Sequence, residues 1–517
     1  MPRSGKRLRA FMATFFLLSI LGGRQNIVRA EDHLEKPKVA IVGAGIGGST
    51  ASYFLRELMG DDVEIIVFDR SSKTGGRTEH FVRDGKVFET GASIIYTGNE
   101  HLFNLTERVN LTRVSQGKQE GPNTGLWDGE RFVLTTTDWN SANLVRMAWR
   151  YGMSLLTMNS MVKKVLVKFS RIYDLQANGR VFDTPEALWG EVGLLDLTRI
   201  STEDYFQEQV GQPNPLVGDE LAHAANRVNY NQGNELNALA GMVSLCPAVT
   251  GDLFKVQEGN ARLSEELLSA SATEVNLNTV VNVVSGNAEE GYSLHGSGGT
   301  EELGTFDAVI IAAPISLAGI TFDVRGEDGK AETLQRPLPL VEYQEVHTTF
   351  VCGVVDRSYF GLGLKDPMPA SVLLTESATH LPFSSLALHS WLDDAPDGVG
   401  VYKLFSRQEL STELLDSIFV KGSWEIWLHR EWRAYPVLSP KEAFSPALLF
   451  KGHPVWYVSS LEEGVSALEI SAIAAKNAAL GVAQSLRHEH FSPGLTESGT
   501  AVAPEAKEPQ ASREREL

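Results

Sequence analysis

Three glycines, an aspartate and an arginine within the first eighty residues have the types and spacing of a device for binding phosphate and ribose. Gly43, Gly45 and Gly48 occupy the positions of a G-x-G-x-x-G turn. The first glycine of such a turn permits a tight bend, and the second lets backbone approach a pyrophosphate. The third lets the following helix pack closely on the strand before it. Residues 39–42 read as a buried parallel strand, 49–55 as a helix, and 63–68 as a second strand ending in Asp69. A diphosphate would rest on the free N–H groups at the start of that helix, around Ile46, Gly47 and Gly48. The Asp69 carboxylate is placed to accept from a ribose 2′-OH. A glycine cluster alone reads more plainly as a turn; here strand, helix and acid all stand where a dinucleotide needs them.

Which dinucleotide follows from the next residues. Asp69 is succeeded by Arg70 and then by Gly75-Gly76-Arg77-Thr78, with Gly85 and Glu89-Thr90-Gly91-Ala92 soon after. A second glycine pair beside an arginine supplies more backbone donors for phosphate oxygens. The arrangement resembles flavoproteins of the amine-oxidase type, whose pattern after the ribose-binding acid is G-G-R-x and then a buried E-x-G. The resemblance implies FAD, held by Gly43, Gly45, Ile46, Gly47, Gly48, Asp69, Arg70, Gly75, Gly76, Arg77, Thr78, Gly91 and Ala92. Further along, the V-x-L-N-x-x-V stretch ending at Val281 would present backbone to the adenine. The turn Ala312-Ala313-Pro314 would lie against phosphates and ribityl, with Glu462 also on the cofactor.

Three later motifs narrow the family. They are Arg227-Val228-Asn229-Tyr230-x-Gln232, Glu258-Gly259-Asn260, and Ala467-x-Glu469-x-Ser471-Ala472-x-Ala474-Ala475-x-Asn477-Ala478-Ala479. Together they resemble the prenylcysteine oxidases, called farnesylcysteine lyases in plants, from about residue 37 to about 486. One departure is Val256-Gln257-Glu258-Gly259-Asn260, where the family reads V-E-G-G-N. The resemblance implies a thioether oxidase that takes farnesyl- or geranylgeranyl-cysteine, O2 and water to prenyl aldehyde, cysteine and H2O2. A C15 or C20 chain suits an apolar tunnel, since each buried CH2 contributes about 0.8 kcal/mol. Asn229, Tyr230 and Gln232 are expected near substrate, against the plainer reading of a self-satisfied polar turn. Tyr230 and His347 are the catalytic candidates, His347 as a proton carrier; a satisfied sheet histidine is the plainer reading of the latter. Two alternatives share the architecture: a polyamine or monoamine oxidase, and a flavin-free prenyl-binding protein of the GDP-dissociation-inhibitor type.

The elements that must carry these groups follow a simple plan. The 517 residues are 43% hydrophobic and 21% charged, which is ordinary for a globular chain of several domains. A net charge of −19 argues against nucleic acid as a partner. Two cysteines, with no C-x-x-C and no H-E-x-x-H, give neither a disulfide scaffold nor a metal motif. The fold class expected is α/β: a Rossmann-like FAD domain from segments 37–115, 251–320 and 446–486, and an α+β substrate domain with a mainly antiparallel sheet from 116–250 and 321–445. Residues 274–284, 306–314 and 454–460 each read as a strand. Residues 144–173 have helical spacing with lysines among the apolar positions. They could touch a membrane, although helices capping the substrate domain fit the pattern better. Residues 1–30, with a basic start and a short apolar run, read as a secretory signal, an uncleaved anchor being the alternative. The triplets at Asn104 and Asn110 fit glycosylation, and secretion to a lysosome or vacuole follows as the expected location. Residues 487–517 read as a disordered tail. Oligomeric state is not legible.

Overall fold

The computed structural model describes residues 36–115, 124–137, 140–210, 215–251, 253–326, 328–363, 365–392 and 398–490. The expected signal (1–30) and most of the expected tail lie outside them. The compact unit begins at Lys38.

In chain order the elements that matter are β1 (Lys38–Val42), α1 (Ile46–Met59), β2 (Glu64–Phe68), α2 (Glu100–Arg108), β3 (Thr124–Trp127), β4 (Phe132–Thr135), α3 (Asn140–Tyr151), α4 (Met153–Ala177), α5 (His223–Tyr230), α6 (Ala238–Thr250), α7 (Ala261–Ala270), β5 (Glu274–Asn276), β6 (Ala308–Ile311), β7 (Tyr343–Gly353), β8 (Ser371–Leu374), β9 (Phe383–Trp391), β10 (Gly400–Ser406), β11 (Glu425–Pro436), β12 (Val455–Tyr457) and α8 (Leu468–His490). A parallel sheet of order β5-β2-β1-β6-β12 forms the first layer. Its strands β6 and β12 are buried throughout and β1 nearly so, as apolar runs without alternation require. Helices α1 and α8 share the main core, where small side chains (Ala51 on one, Ala472, Ala475 and Ala479 on the other) permit close packing.

The second sheet has the order β11-β7-β10-β9-β8-β3-β4 and is antiparallel except where β8 meets β3. The mainly antiparallel floor is therefore present. A bulge between Gln344 and Glu345 breaks the β7–β11 register, so that Ala434 is skipped.

Several expected boundaries move, each for a local reason. The run 274–284 is two strands in two sheets, not one: Asn278 takes a left-handed φ of 56°. Its N–H donates to Ser71 O and that of Thr279 to Asp69 O, folding the chain over the end of β2. Phe306 ends a different strand, Glu301–Phe306, and β6 starts only at Ala308. The helical run 144–173 is interrupted at Gly152, whose φ of 58° separates α3 from α4. The expected strand 454–460 stops at Tyr457, and Val458–Glu463 is a tight 3-10 turn. Residues 487–490, expected in the tail, continue α8.

Candidate functional site

One cavity of about 1420 Å³ runs from the glycine turn to the space under α4, α5 and β11. That exceeds the roughly 300–1,000 Å³ of an ordinary single-ligand pocket, leaving room for a cofactor and a substrate.

At one end β1 hands the chain to α1. Gly43 has a φ of 114°, and its N–H donates to Phe68 O at 2.7 Å. A Cβ on Gly48 would stand 1.8 Å from Gly43 O, so only glycine lets α1 seat on the turn. Gly48 is thus a packing residue behind the wall, whereas Gly43, Gly45, Ile46 and Gly47 line the cavity. No side chain caps α1 and no acid stands in its first turn, so its orphan N–H groups face the cavity. A diphosphate fits this donor set. Asp69 also lines the cavity, its Oδ2 accepting from Ala44 N (2.6 Å) and Oδ1 from Ser71 N (2.7 Å). These bonds fix the carboxylate and leave each oxygen a second lone pair for a ribose.

Arg70, Gly75, Gly76, Arg77, Thr78, Gly91, Ala92, Val281, Ala312, Ala313 and Pro314 line the same cavity. The Arg77 guanidinium donates to Ala434 O (2.8 Å) and to Glu462 Oε2 (2.7 Å), tying the glycine loop to β11. Glu462, expected on the cofactor, does not line the cavity. Its other oxygen accepts from Tyr343 Oη at 2.5 Å, so it orients Arg77 from behind. Burial and that carboxylate push the Tyr343 phenol up, keeping it a neutral donor.

The buried E-x-G and the E-G-N motif prove to be one device. Glu89 Oε1 accepts from Asn260 N (2.6 Å), while Asn260 Oδ1 accepts from Val256 N and its Nδ2 donates to Ala92 O. Burial raises the Glu89 carboxyl to about 7. The departing Gln257 and Glu258 are exposed, whereas Gly259 and Asn260 are buried, so the substitution falls on the solvent side of the loop.

The second half of the cavity is lined by Leu166, Phe169, Val228, Val243, Pro247 and Phe405. Asn229 and Tyr230 face it. Asn229 Nδ2 donates to Ser244 O at 3.0 Å. The Tyr230 ring meets Tyr435 edge-on, centroids 5.4 Å apart. Burial raises both phenols well above neutrality, so both are uncharged hydroxyls. Gln232 does not line the cavity: its amide bridges Tyr230 O, Pro436 O and Leu438 N, the self-satisfied polar turn. Arg227 likewise serves structure, donating to Phe383 O at 3.1 Å. His347 also lies outside the lining, although its neighbours Val346 and Thr348 belong to it. Strand alternation turns its ring to the other face of β7, where it bonds Glu345 and His429. It is therefore not placed to carry a proton in the cavity.

Sequence reasoning missed Trp432 and Tyr435, which line the cavity from β11, and Glu469 at the start of α8. Glu469 accepts from the backbone N–H of His101 (2.9 Å) and Leu102 (3.0 Å), closing the N-terminus of α2. Burial raises its carboxyl to about 7. Cys246 lines the cavity as a free thiol pushed up to about 11 by burial, and Cys352 is free and buried elsewhere. Asn104 on α2 and Asn110 after it are both exposed.

Residues 41–109 match a family described as the NAD(P)-binding Rossmann-like domain. Among solved structures, cyclohexylamine oxidase from Brevibacterium oxydans superposes with a TM-score of 0.56 at 17% identity, over 87% of this chain and 100% of that one. A putrescine oxidase double mutant gives 0.54 at 17%, over 86% and 98%. The fold is thus that of these oxidases. Residues 134–492 match the prenylcysteine lyase family. Farnesylcysteine lyase of Arabidopsis thaliana is 32% identical over 457 residues, 85% of this chain and 87% of its own. Prenylcysteine oxidase 1 of Mus musculus is 30% identical over 495 residues, 92% and 95% of the two chains. The chain belongs to the prenylcysteine lyase family.

Proposed function

We propose that this chain is an FAD-dependent thioether oxidase that cleaves a prenylcysteine. Prenylcysteine, O2 and water give prenyl aldehyde, free cysteine and H2O2. Family membership supports the substrate class, and one continuous cavity carries the reading: an uncapped helix N-terminus at one end and an apolar chamber at the other. FAD, when bound, supplies the two-electron acceptor and its reoxidation by O2. The chain's own residues position and desolvate. Backbone N–H groups of the first turn of α1 would hold the diphosphate and Asp69 the ribose, while Arg77, clamped by Glu462, fixes the glycine loop against β11. Leu166, Phe169 and Val243 shed water from the isoprenoid, and the Tyr230–Tyr435 pair sets the chamber's shape. With both phenols neutral and His347 facing away, we assign no protein base to the C–H cleavage.

In this reading the FAD domain comprises 37–115, 251–320 and 446–486, and the substrate domain 116–250 and 321–445. The assignment is supported by the parallel sheet drawing its five strands from the former set. Secretion, glycosylation at Asn104 and Asn110, and residence in a lysosome or vacuole complete the proposal, supported by the composition of residues 1–30 and the exposure of both asparagines. Among the described residues no helix is long and apolar enough to cross a membrane. Peripheral association has a specific support. Leu144, Val145, Trp149, Met153 and Leu156 are all exposed around the α3–α4 junction, Trp149 at 90%. Farther along, α4 also contributes Leu166 and Phe169 to the cavity wall, which suits a substrate drawn from lipid.

Incubation with farnesylcysteine, following farnesal and peroxide together, tests the function. Turnover of spermine in place of farnesylcysteine would move the chain to the amine oxidases.

A further inference from the structure

β7 and β11 carry a group of metal-ligating side chains that the proposed reaction does not use, one of which, Glu431, also borders the cavity. The register sets His347 opposite Glu431 and Glu345 opposite Arg433. Directly opposed and diagonal side chains on one face of an antiparallel pair lie within reach of each other. Glu345 and His347, two residues apart on β7, share one face of the strand by alternation. One ligand atom each from Glu345, His347 and Glu431 lies within 4.8 Å of the other two.

The imidazole in the middle is oriented as a ligand is. His347 is 6% exposed. Its Nδ1 is 2.9 Å from His429 Nε2, with the rings stacked 11° from parallel, and its Nε2 is 3.1 Å from Glu345 Oε1. A ligating histidine usually has its far nitrogen held by a second group, which fixes ring and tautomer; His429 does that here. Arg433 balances Glu345 at 3.2 Å, while Glu431 has no ion-pair partner among the described residues. Two carboxylates beside one arginine give the group a net negative charge, carried at its exposed edge by Glu431.

We infer that Glu345, His347 and Glu431 form a binding site for a divalent cation, of which Zn2+ suits the mixed imidazole and carboxylate set best. Borderline imidazole selects zinc over the hard cations, and carboxylate oxygens complete its shell. Three protein ligands leave a fourth position for water. Zn–ligand bonds of about 2.0–2.2 Å require ligand atoms about 3.3 Å apart, so the group must draw together. Glu431 is exposed and at liberty to move, whereas His347 and the bulge are fixed. Because β7 and β11 also wall the cavity, the ion would clamp its rim.

The test is equilibrium dialysis of the untagged full chain against Zn2+, with Co2+ as a spectroscopic probe. Wild type is expected to retain one Zn2+ per chain and to give a Co2+ visible absorption band. His347→Ala and Glu431→Gln should each weaken Zn2+ by at least about tenfold and abolish the band. Zn2+ should raise the melting temperature of wild type and not of the variants. Glu431 is exposed, so E431Q decides the matter even if H347A misfolds. Equal Zn2+ affinity in wild type and E431Q, or no Zn2+ retained by wild type, overturns the site and leaves the His347–Glu345 hydrogen bond a structural contact only.

Discussion

Replacing Glu462 by glutamine removes one negative charge from behind the cavity wall, at a residue that does not itself line the cavity. Glu462 is 3% exposed and holds two donors, the Arg77 guanidinium at 2.7 Å and the Tyr343 hydroxyl at 2.5 Å. Breaking a fully buried ion pair costs about 3–5 kcal/mol. Arg77 is one-third exposed (33%), so water screens part of that loss, leaving about 1–3 kcal/mol. The glutamine NH2 cannot accept from Tyr343, which adds about 1 kcal/mol for a stranded hydroxyl. The sum, about 2–4 kcal/mol, is read by urea unfolding of the holoprotein. Because Arg77 lies on the glycine loop, each 1.4 kcal/mol that reaches the cofactor weakens FAD about tenfold, measured by dialysis of the yellow protein. Glu462→Gln within about 0.5 kcal/mol of wild type, with undiminished FAD affinity, would refute the clamp.

Other substitutions probe the remaining parts. Gly48→Ala puts a methyl group into Gly43 O and should yield apoprotein or misfolded chain, judged by flavin absorbance after purification. Tyr230→Ala opens the chamber and should cut kcat/KM for farnesylcysteine about 10–100-fold, whereas Tyr230→Phe should lose less than half of that in free energy. Glu469 is raised from 4.5 to about 7, so its contribution to stability is present below about pH 4.5 and is lost as pH rises through 7. Wild type should therefore gain stability relative to Glu469→Gln between pH 7 and 4.5, by parallel denaturant titrations; a pH-independent difference would contradict the buried carboxyl. Trp149→Glu should lower binding to phosphatidylcholine vesicles in flotation without changing turnover of detergent-free substrate.

The cofactor half of the site was legible because its chemistry is local: a glycine turn, an acid at a strand end and a second glycine pair lie within about fifty residues. What could not be read is what the sheets bring together across hundreds of residues. Tyr435 meets Tyr230, Glu469 caps α2, and Glu462 reaches Arg77 only once β7, β11 and α8 are in place. His347 failed as a proton carrier for a reason of period two. Its neighbours face the cavity, so it faces away, and nothing local in an alternating strand says which face is inward. The R-V-N-Y-x-Q motif divided similarly, Asn229 and Tyr230 to the cavity and Arg227 and Gln232 to the frame. The strand break at Asn278 escaped periodicity because it is made by bonds to the distant β2 end.

Function here depends on one cavity joining a flavin cradle to a prenyl chamber. Product stoichiometry from farnesylcysteine, on the purified yellow protein, measures that union. Farnesal, cysteine and H2O2 are expected in equal amounts, with one FAD released per chain on denaturation. A colourless protein that cannot be reconstituted with FAD, or a yellow one that leaves farnesylcysteine intact, would contradict it.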